Sequence, residues 1–460
     1  MHRLAITIIF LVAFFLLFHR LGANYLSNFD EAFYAVIAKE VVNSGNWTTF
    51  TFGHERFFAV SPFYLWLQAF LFKIFGPSEL AVRFFAALSS FTTILSIVYY
   101  FLIKGKLKRG IVAALILLST PKFLFLSRSG NLDATLTLFT TLSLLLFYAG
   151  LTSVRFLPLA GVASAFAFLS KGLFGLFPLA TFLLYIVLFK RKLLFNKWLY
   201  FCLCIFLALI LPWQMLQIAR HGYSFINGFY GGYMVTKLGW QPFFSYFWWG
   251  SGLWQGMKLW FPLSLLAIFI SFINKNLCNN NRFFIFSIFF YLFILSLIRT
   301  HNDWYLMPIY PILAILLGTT LVYFISRYHN FTFVIACLAL ACFQIVYYRN
   351  QFFVPQTTDA QVMMIKEAEN LSVPGSPILL DDFYYPVAMY YSDRPIIRLR
   401  ANRDPGAAIS SSALDNYLAK GSLLLTNTTT ADSAKRATKY PLILKKVHGE
   451  LILFGLEKEP

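Results

Sequence analysis

Between Met1 and Val346 the chain carries seven carboxylates, Asp30, Glu31, Glu40, Glu55, Glu79, Asp133 and Asp303. Five of them fall between Asp30 and Glu79, in one loop that follows the first apolar run. The surrounding sequence consists of long apolar runs, where an ionised carboxylate is costly and is usually kept for function. An acid placed this way can take a proton from an attacking hydroxyl, orient that hydroxyl, or steady positive charge on a substrate. The loop from residue 21 to residue 79 is therefore where chemistry is expected.

Four short constellations stand out. In Asp30-Glu31-Ala32-Phe33-Tyr34, Asp30 sits at a helix start, with Tyr34 and Ile37 on its face. Glu31 has an ordinary alternative, compensation of the helix dipole. In Arg128-Ser129-Gly130-Asn131-Leu132-Asp133, the acid either caps the following helix or, paired with Arg128, holds a metal or a sugar hydroxyl. Ser170-Lys171-Gly172 places a cation between two apolar runs, either snorkelling or facing an anion. In His301-Asn302-Asp303-Trp304-Tyr305, His301 and Asp303 carry the functional weight, because Trp and Tyr are ordinary at a membrane interface. The aromatic stretch from Arg220 to Gly250, with Gly231-Gly232, suits an amphipathic ligand.

These residues must be positioned by membrane helices. Hydrophobic residues make up 59% of the chain and charged residues 12%, with mean hydropathy +0.67, which excludes an ordinary soluble protein. A formal net charge of +19 invites a nucleic-acid reading, but the charges sit in short turns between apolar runs, as topology determinants do. No Gly-rich phosphate loop and no Gly-x-Gly-x-x-Gly turn is present, so nucleotide chemistry is not expected. Of the five cysteines none follows Cys342, and Cys202-x-Cys204 in an apolar run reads as core, not metal site. The first twenty residues resemble a signal peptide without a small-x-small cleavage site, so an uncleaved anchor is expected.

Runs of spanning length lie near 4–20, 80–103, 110–127, 131–150, 156–170, 172–189, 198–218, 251–273, 283–299, 307–325 and 331–347, about eleven transmembrane helices. The shorter run 62–75 is expected to be interfacial or re-entrant. With the N-terminus inside, the inner turns hold basic residues from Arg3 to Arg327 and no acid, which fits the positive-inside rule. No internal repeat is evident, which counts against inverted-repeat transporters. From residue 348 to 460, thirteen basic and twelve acidic residues give the balance of a soluble domain. A helix over 358–371 and five short strand-like runs predict a small α/β domain outside the membrane. The expected domains are thus a transmembrane unit over 1–347 and an α/β domain over 348–460.

The order of motifs resembles a known class. Asp30-Glu31-x-x-Tyr34-Ala35, Ser44-Gly45-Asn46-Trp47, Pro62-x-x-x-Trp66-Leu67-Gln68, Asn131-x-Asp133, Ser170-Lys171-Gly172 and Asp303-Trp304-Tyr305-x-x-Pro308 are similar to GT-C membrane glycosyltransferases related to the lipid A aminoarabinose transferase and protein O-mannosyltransferases. Tyr384-Tyr385-Pro386 and Tyr390-Tyr391-Ser392-Asp393-Arg394-Pro395 are similar to the tails of such proteins. The resemblance implies an all-α polytopic fold with interfacial helices in the first outer loop. It implies an enzyme of the bacterial inner membrane whose cavity and tail face the periplasm. There a sugar passes by inverting displacement from a polyprenyl phosphate to a lipid or glycan acceptor such as lipid A.

On that resemblance Asp30, with Glu31, supplies the catalytic carboxylate and Asp133 supports it. Lys171, Arg56, Arg83 and Arg128 would contact the donor phosphate, and Tyr34, His301, Asp303 and Tyr305 the sugar or acceptor. Aminoarabinose-type relatives usually carry Glu-Lys before the prolines, for metal and lipid phosphate, where this chain has Ala59-Val60-Ser61-Pro62. No cofactor is therefore assigned, a divalent metal is left open, and the phosphate needs another cation. Protein O-glycosylation and a lipid-linked-sugar flippase are the alternatives.

Overall fold

In lipid every backbone N–H and C=O must find a partner inside the protein, so apolar runs fold as helices. The computed structural model describes residues 2–26, 29–232, 242–298, 300–328, 331–349, 359–381, 385–399, 409 and 411–456. It divides into two compact units, one of residues 1–21, 41–51 and 56–354, the other of residues 22–40, 52–55 and 355–460.

The larger unit is a helical membrane bundle. Its helices are α1 (His2–Phe18), α3 (Pro62–Phe75), α4 (Glu79–Ile103), α5 (Leu107–Leu118), α6 (Pro121–Ser127), α7 (Asp133–Gly150), α8 (Leu157–Lys171), α9 (Phe177–Phe189) and α10 (Lys197–His221). They continue, after the four-residue α11 (Tyr223–Ile226), with α12 (Pro242–Met257), α13 (Trp260–Ile273), α14 (Lys275–Ser296), α15 (Ile309–Tyr328) and α16 (Phe331–Tyr347). Helix α2 (Phe29–Ser44) lies partly in each unit. Large apolar side chains such as Leu11, Met215, Phe269 and Phe272 are exposed, as a lipid-facing surface demands. Polar and small residues instead mediate helix packing. Ser143 Oγ and Ser164 Oγ lie 2.7 Å apart between α7 and α8. Gly161 passes so close to α10 that a Cβ there would stand 2.4 Å from the Cys202 carbonyl oxygen.

Each of the eleven expected runs is helical, but not all are single straight spans. Six helical segments among the described residues are long and apolar enough to cross a membrane, or up to eight if each bent pair is one span. Residues 154–189 form one apolar stretch of 36 residues. The α5–α6 pair bends by 77° and the α12–α13 pair by 115°. Pro121 opens α6, and a proline cannot donate to the turn before it. At the second break Lys258 has φ +53°, outside helical space. Both breaks free backbone groups, and one side chain serves both. Fully buried Gln344 of α16 accepts from the Leu259 N–H at 3.0 Å and donates to the Ser119 carbonyl at 2.9 Å. Trp260 Nε1 adds a bond to Ser119 Oγ at 2.8 Å.

The smaller unit contains a five-stranded sheet of order β4-β3-β5-β7-β6. The short strands β1 (Thr51–Phe52) and β2 (Glu55–Arg56) precede it in the chain; its own strands are β3 (Ile378–Leu380), β4 (Ile396–Arg398), β5 (Leu423–Asn427), β6 (Ile443–His448) and β7 (Leu451–Gly455). The first three are parallel and the last two antiparallel. Helix α17 (Asp359–Leu371) buries Met364, Ile365 and Ala368 with Ile378, Leu380 and Leu425. The expected helix and all five strand-like runs of this region are present.

Candidate active site

The acidic motif of the first loop opens α2, with Asp30 and Glu31 both in its first turn, where the positive end of the helix dipole favours carboxylates. Glu31 is buried, Asp30 is half-buried, and Tyr34, one turn on, is half-buried as well. The first part of α2 belongs to the same unit as the sheet domain, and the tyrosine pair singled out in the tail helps to hold it. Tyr391 Oη accepts from the Leu26 N–H at 2.7 Å and its ring packs edge-on with Tyr25 at 5.3 Å. Lys39 Nζ donates to the Tyr390 carbonyl at 3.3 Å. Glu40 has a local task, accepting the N–H groups of Gly53 and His54 at 2.8 and 3.3 Å. Tyr384 of that tail motif, and residues 233–241 of the aromatic stretch, lie outside the described residues.

In the membrane unit three of the singled-out residues converge. Asp133 is the first residue of α7 and Lys171 the last of α8. Lys171 Nζ donates to Asp133 Oδ1 at 2.5 Å, and the two side chains are 13% and 4% exposed. The same ammonium lies 4.7 Å from the centre of the Tyr305 ring and 5.5 Å from that of Phe174, within cation–π range. Tyr305 is itself fixed: its carbonyl accepts from Tyr291 Oη at 2.7 Å, and Asn302 Nδ2 donates to its hydroxyl at 3.3 Å. Lys171 has three N–H donors, of which the described hydrogen bond uses one. The arrangement is a desolvated, oriented cation able to take an anion as a further partner.

The chain next to Lys171 is tightly constrained. Gly172 has φ +56°, and a Cβ on it would meet the Phe229 ring at 3.3 Å and Ser61 Oγ at 3.4 Å. Gly172, next to Lys171, therefore passes close to Ser61, the residue that follows Ala59-Val60. Val60 is buried, as an apolar residue in that place must be. Among the described residues no three His, Cys, Asp or Glu side chains come together as a possible metal site.

The other candidates are placed differently. Arg128 donates to the carbonyls of Leu16, Leu17 and His19 at 2.8–3.1 Å. Arg83, buried, donates to the Leu21 carbonyl at 3.1 Å. Both guanidiniums thus satisfy carbonyls at and just beyond the C-terminal end of α1, where cations complement the dipole. Burial, and next the neighbouring Arg83, push Arg128 down to about 10, so it stays charged at neutral pH. Arg56 is exposed on β2. Asp303 pairs with Lys122 at 3.2 Å, and His301 lies against the rings of Trp248 and Trp249 at 5.6 and 5.2 Å. Lys122, Tyr291 and Phe174 were not singled out in the sequence. For Lys122 a signal existed, since a Pro-Lys pair inside an apolar run marks a break.

Comparison with known proteins agrees with this organisation. The family model described as dolichyl-phosphate-mannose-protein mannosyltransferase matches residues 59–215. An uncharacterized protein of Aquifex aeolicus is 30% identical over 65% of the chain and 60% of its own length. An undecaprenyl phosphate-alpha-4-amino-4-deoxy-L-arabinose arabinosyl transferase of Shewanella sediminis is 30% identical over 42% of the chain and 37% of its own length. The chain thus spans less than two thirds of either relative. The crystal structure of ArnT from Cupriavidus metallidurans bound to undecaprenyl phosphate superimposes with a TM-score of 0.77 at 16% identity, over 98% of this chain and 97% of that one. The oligosaccharyltransferase of Archaeoglobus fulgidus does so with a TM-score of 0.55 at 11% identity, over 100% and 74%. At these identities the two likenesses concern the fold.

Proposed function

We propose that the chain is a membrane glycosyltransferase of the GT-C class, of the aminoarabinose-transferase and O-mannosyltransferase type that it is similar to, and that it transfers a sugar from a polyprenyl phosphate to an acceptor at the periplasmic face of the bacterial inner membrane. One observation carries the reading. The buried Lys171–Asp133 pair, backed by Tyr305, offers a desolvated cation, and the adjoining Gly172 approaches Ser61, next to the Ala59-Val60 pair at which the chain departs from the pattern it resembles.

The acceptor oxygen forms a bond to the anomeric carbon as the bond from that carbon to the phosphate oxygen breaks. The electron pair leaves with the lipid phosphate, and the configuration inverts. Negative charge grows on the phosphate, and Lys171, already desolvated and oriented by Asp133, stabilises it without reorganisation. If the acceptor is a hydroxyl, its proton goes to the carboxylate of Asp30. If it is a phosphate, as in lipid A, Asp30 orients it or steadies the positive charge on the sugar. Arg83 and Arg128 contribute by fixing α1.

A surface glycolipid is the acceptor that the arabinosyl-transferase relatives favour; the mannosyltransferase family description favours a protein. Mass analysis of lipid A, surface glycans and exported proteins, with and without the chain and with Asp30→Asn, separates the two. A sugar missing from glycolipid in both deletion and variant supports the first acceptor. Loss from exported proteins selects the second, and no change in any fraction contradicts transfer.

A further inference from the structure

Helix α7 carries Asp133 at one end and Tyr148 near the other; its 18 residues span roughly 27 Å at the helical rise. Around the Tyr148 end lies a cavity of about 320 Å³, at the other end of α7 from the Lys171 pair. Four cations reach it from two places in the chain: Lys104 and Lys106 between α4 and α5 with Arg109 in the first turn of α5, and Lys190 at the end of α9. No carboxylate is among its lining residues, which also include Asn279, Asn280 and Thr319. Tyr148 Oη donates to the Asn280 carbonyl at 3.1 Å, fixing one wall. Lys104 lies over the rings of Tyr100 and Phe156 at 5.9 and 5.7 Å.

Charges that only set topology need to lie in the right turns; they need not converge on a concave site. Here they converge without acidic neighbours, so their mutual repulsion is uncompensated. Lys106 registers this, being held below its usual range by burial first and then by Arg109 and Lys104. An anion with several oxygens would relieve the repulsion and could also accept from the asparagine amides and the threonine hydroxyl.

We propose that this cavity is a binding site for a phosphate-bearing ligand, the head group of an anionic phospholipid or a soluble phosphate ester, distinct from the donor site at Lys171. Each cation contributes about a fivefold change in affinity at a membrane surface.

Two arms distinguish the sources. In the first, the protein is released from nanodiscs of neutral lipid with phosphatidylglycerol, and retained lipid is counted by native mass spectrometry. In the second, thermal stabilisation by inorganic pyrophosphate is measured in neutral detergent. Retained phosphatidylglycerol that falls in Arg109→Gln and Lys190→Gln supports a lipid ligand. Stabilisation by pyrophosphate that falls in the same variants, without retained lipid, supports a soluble one. Thr152→Phe fills the cavity without changing charge and should weaken either response equally well. Lys192→Gln, two residues beyond Lys190 in the same segment but outside the cavity lining, should not. Loss in Lys192→Gln equal to that in Arg109→Gln would reduce the effect to bulk charge and overturn the proposal. So would the absence of both responses in the unaltered protein.

Discussion

Two acid–base pairs in the membrane unit, alike in type, differ in what surrounds them. Lys171–Asp133 is almost fully buried, at 13% and 4% exposure, with an aromatic face on the cation. Lys122–Asp303 is open, at 27% and 41%, and longer, at 3.2 Å. Breaking a buried pair strands a charge where water cannot reach it, at about 3–5 kcal/mol. An open pair yields about 0.2–1 kcal/mol, because solvent replaces the lost partner. The difference teaches that motif spacing alone does not tell a buried pair from an open one. Both acids stand at the start of a helix or helical turn, yet of the two pairs only that of Asp133 holds a desolvated lysine.

That contrast can be broken by experiment. Lys171→Ala is expected to have the largest effect, reducing transfer by two orders of magnitude or more and raising the donor KM, in line with about 3–5 kcal/mol. Lys171→Arg should rescue only in part, because a planar guanidinium cannot occupy the same place over Tyr305. Steady-state kinetics with a lipid-linked donor checks both. Next comes the double variant Asp133→Leu with Lys171→Met. Replacing both charges by apolar groups should restore thermal stability close to that of the unaltered protein while transfer stays lost. A double variant as unstable as either single one would mean that the pair only supports the fold.

Gln344→Leu sharpens the comparison from the structural side. It strands the Leu259 N–H and the Ser119 carbonyl at two helix breaks, and each buried unsatisfied group costs about 1–3 kcal/mol. Thermal unfolding in detergent should fall accordingly, with the donor KM unchanged. Lys122→Ala should do least, a change in transfer of under about fivefold, consistent with an open ion pair. If Lys122→Ala instead matches Lys171→Ala, the donor phosphate lies at Asp303 and the assignment reverses.

Much of this was legible in the chain. Long apolar runs and the composition change near residue 348 predict the helical bundle and the sheet domain. A helix start at Asp30 follows from the acid-rich first turn of α2. The pairing of Asp133 with Lys171 was not legible, since the two are 38 residues apart and meet only because α7 and α8 pack side by side. Arg128 was expected near Asp133 by sequence proximity, but its described bonds close α1, more than a hundred residues away in the chain. Nor did the sequence show the bend at residues 258–259, or that Gln344, which looks like any polar residue in an apolar run, serves both breaks. Likewise, the Tyr390-Tyr391 motif was visible while its task, holding the segment before and within α2, was not.

The central claim, that a lipid-phosphate sugar bond is broken with Asp30 as the decisive carboxylate, is tested most directly by one turnover of purified protein. Labelled polyprenyl-phosphate sugar and acceptor are mixed with the unaltered protein or with Asp30→Asn, and bound donor and freed polyprenyl phosphate are followed in the same sample. The account predicts that both proteins bind donor alike, that the unaltered one frees polyprenyl phosphate in step with glycosylated acceptor, and that Asp30→Asn frees none. Release by Asp30→Asn at the rate of the unaltered protein, or donor carried across the bilayer with its sugar bond intact, would contradict it.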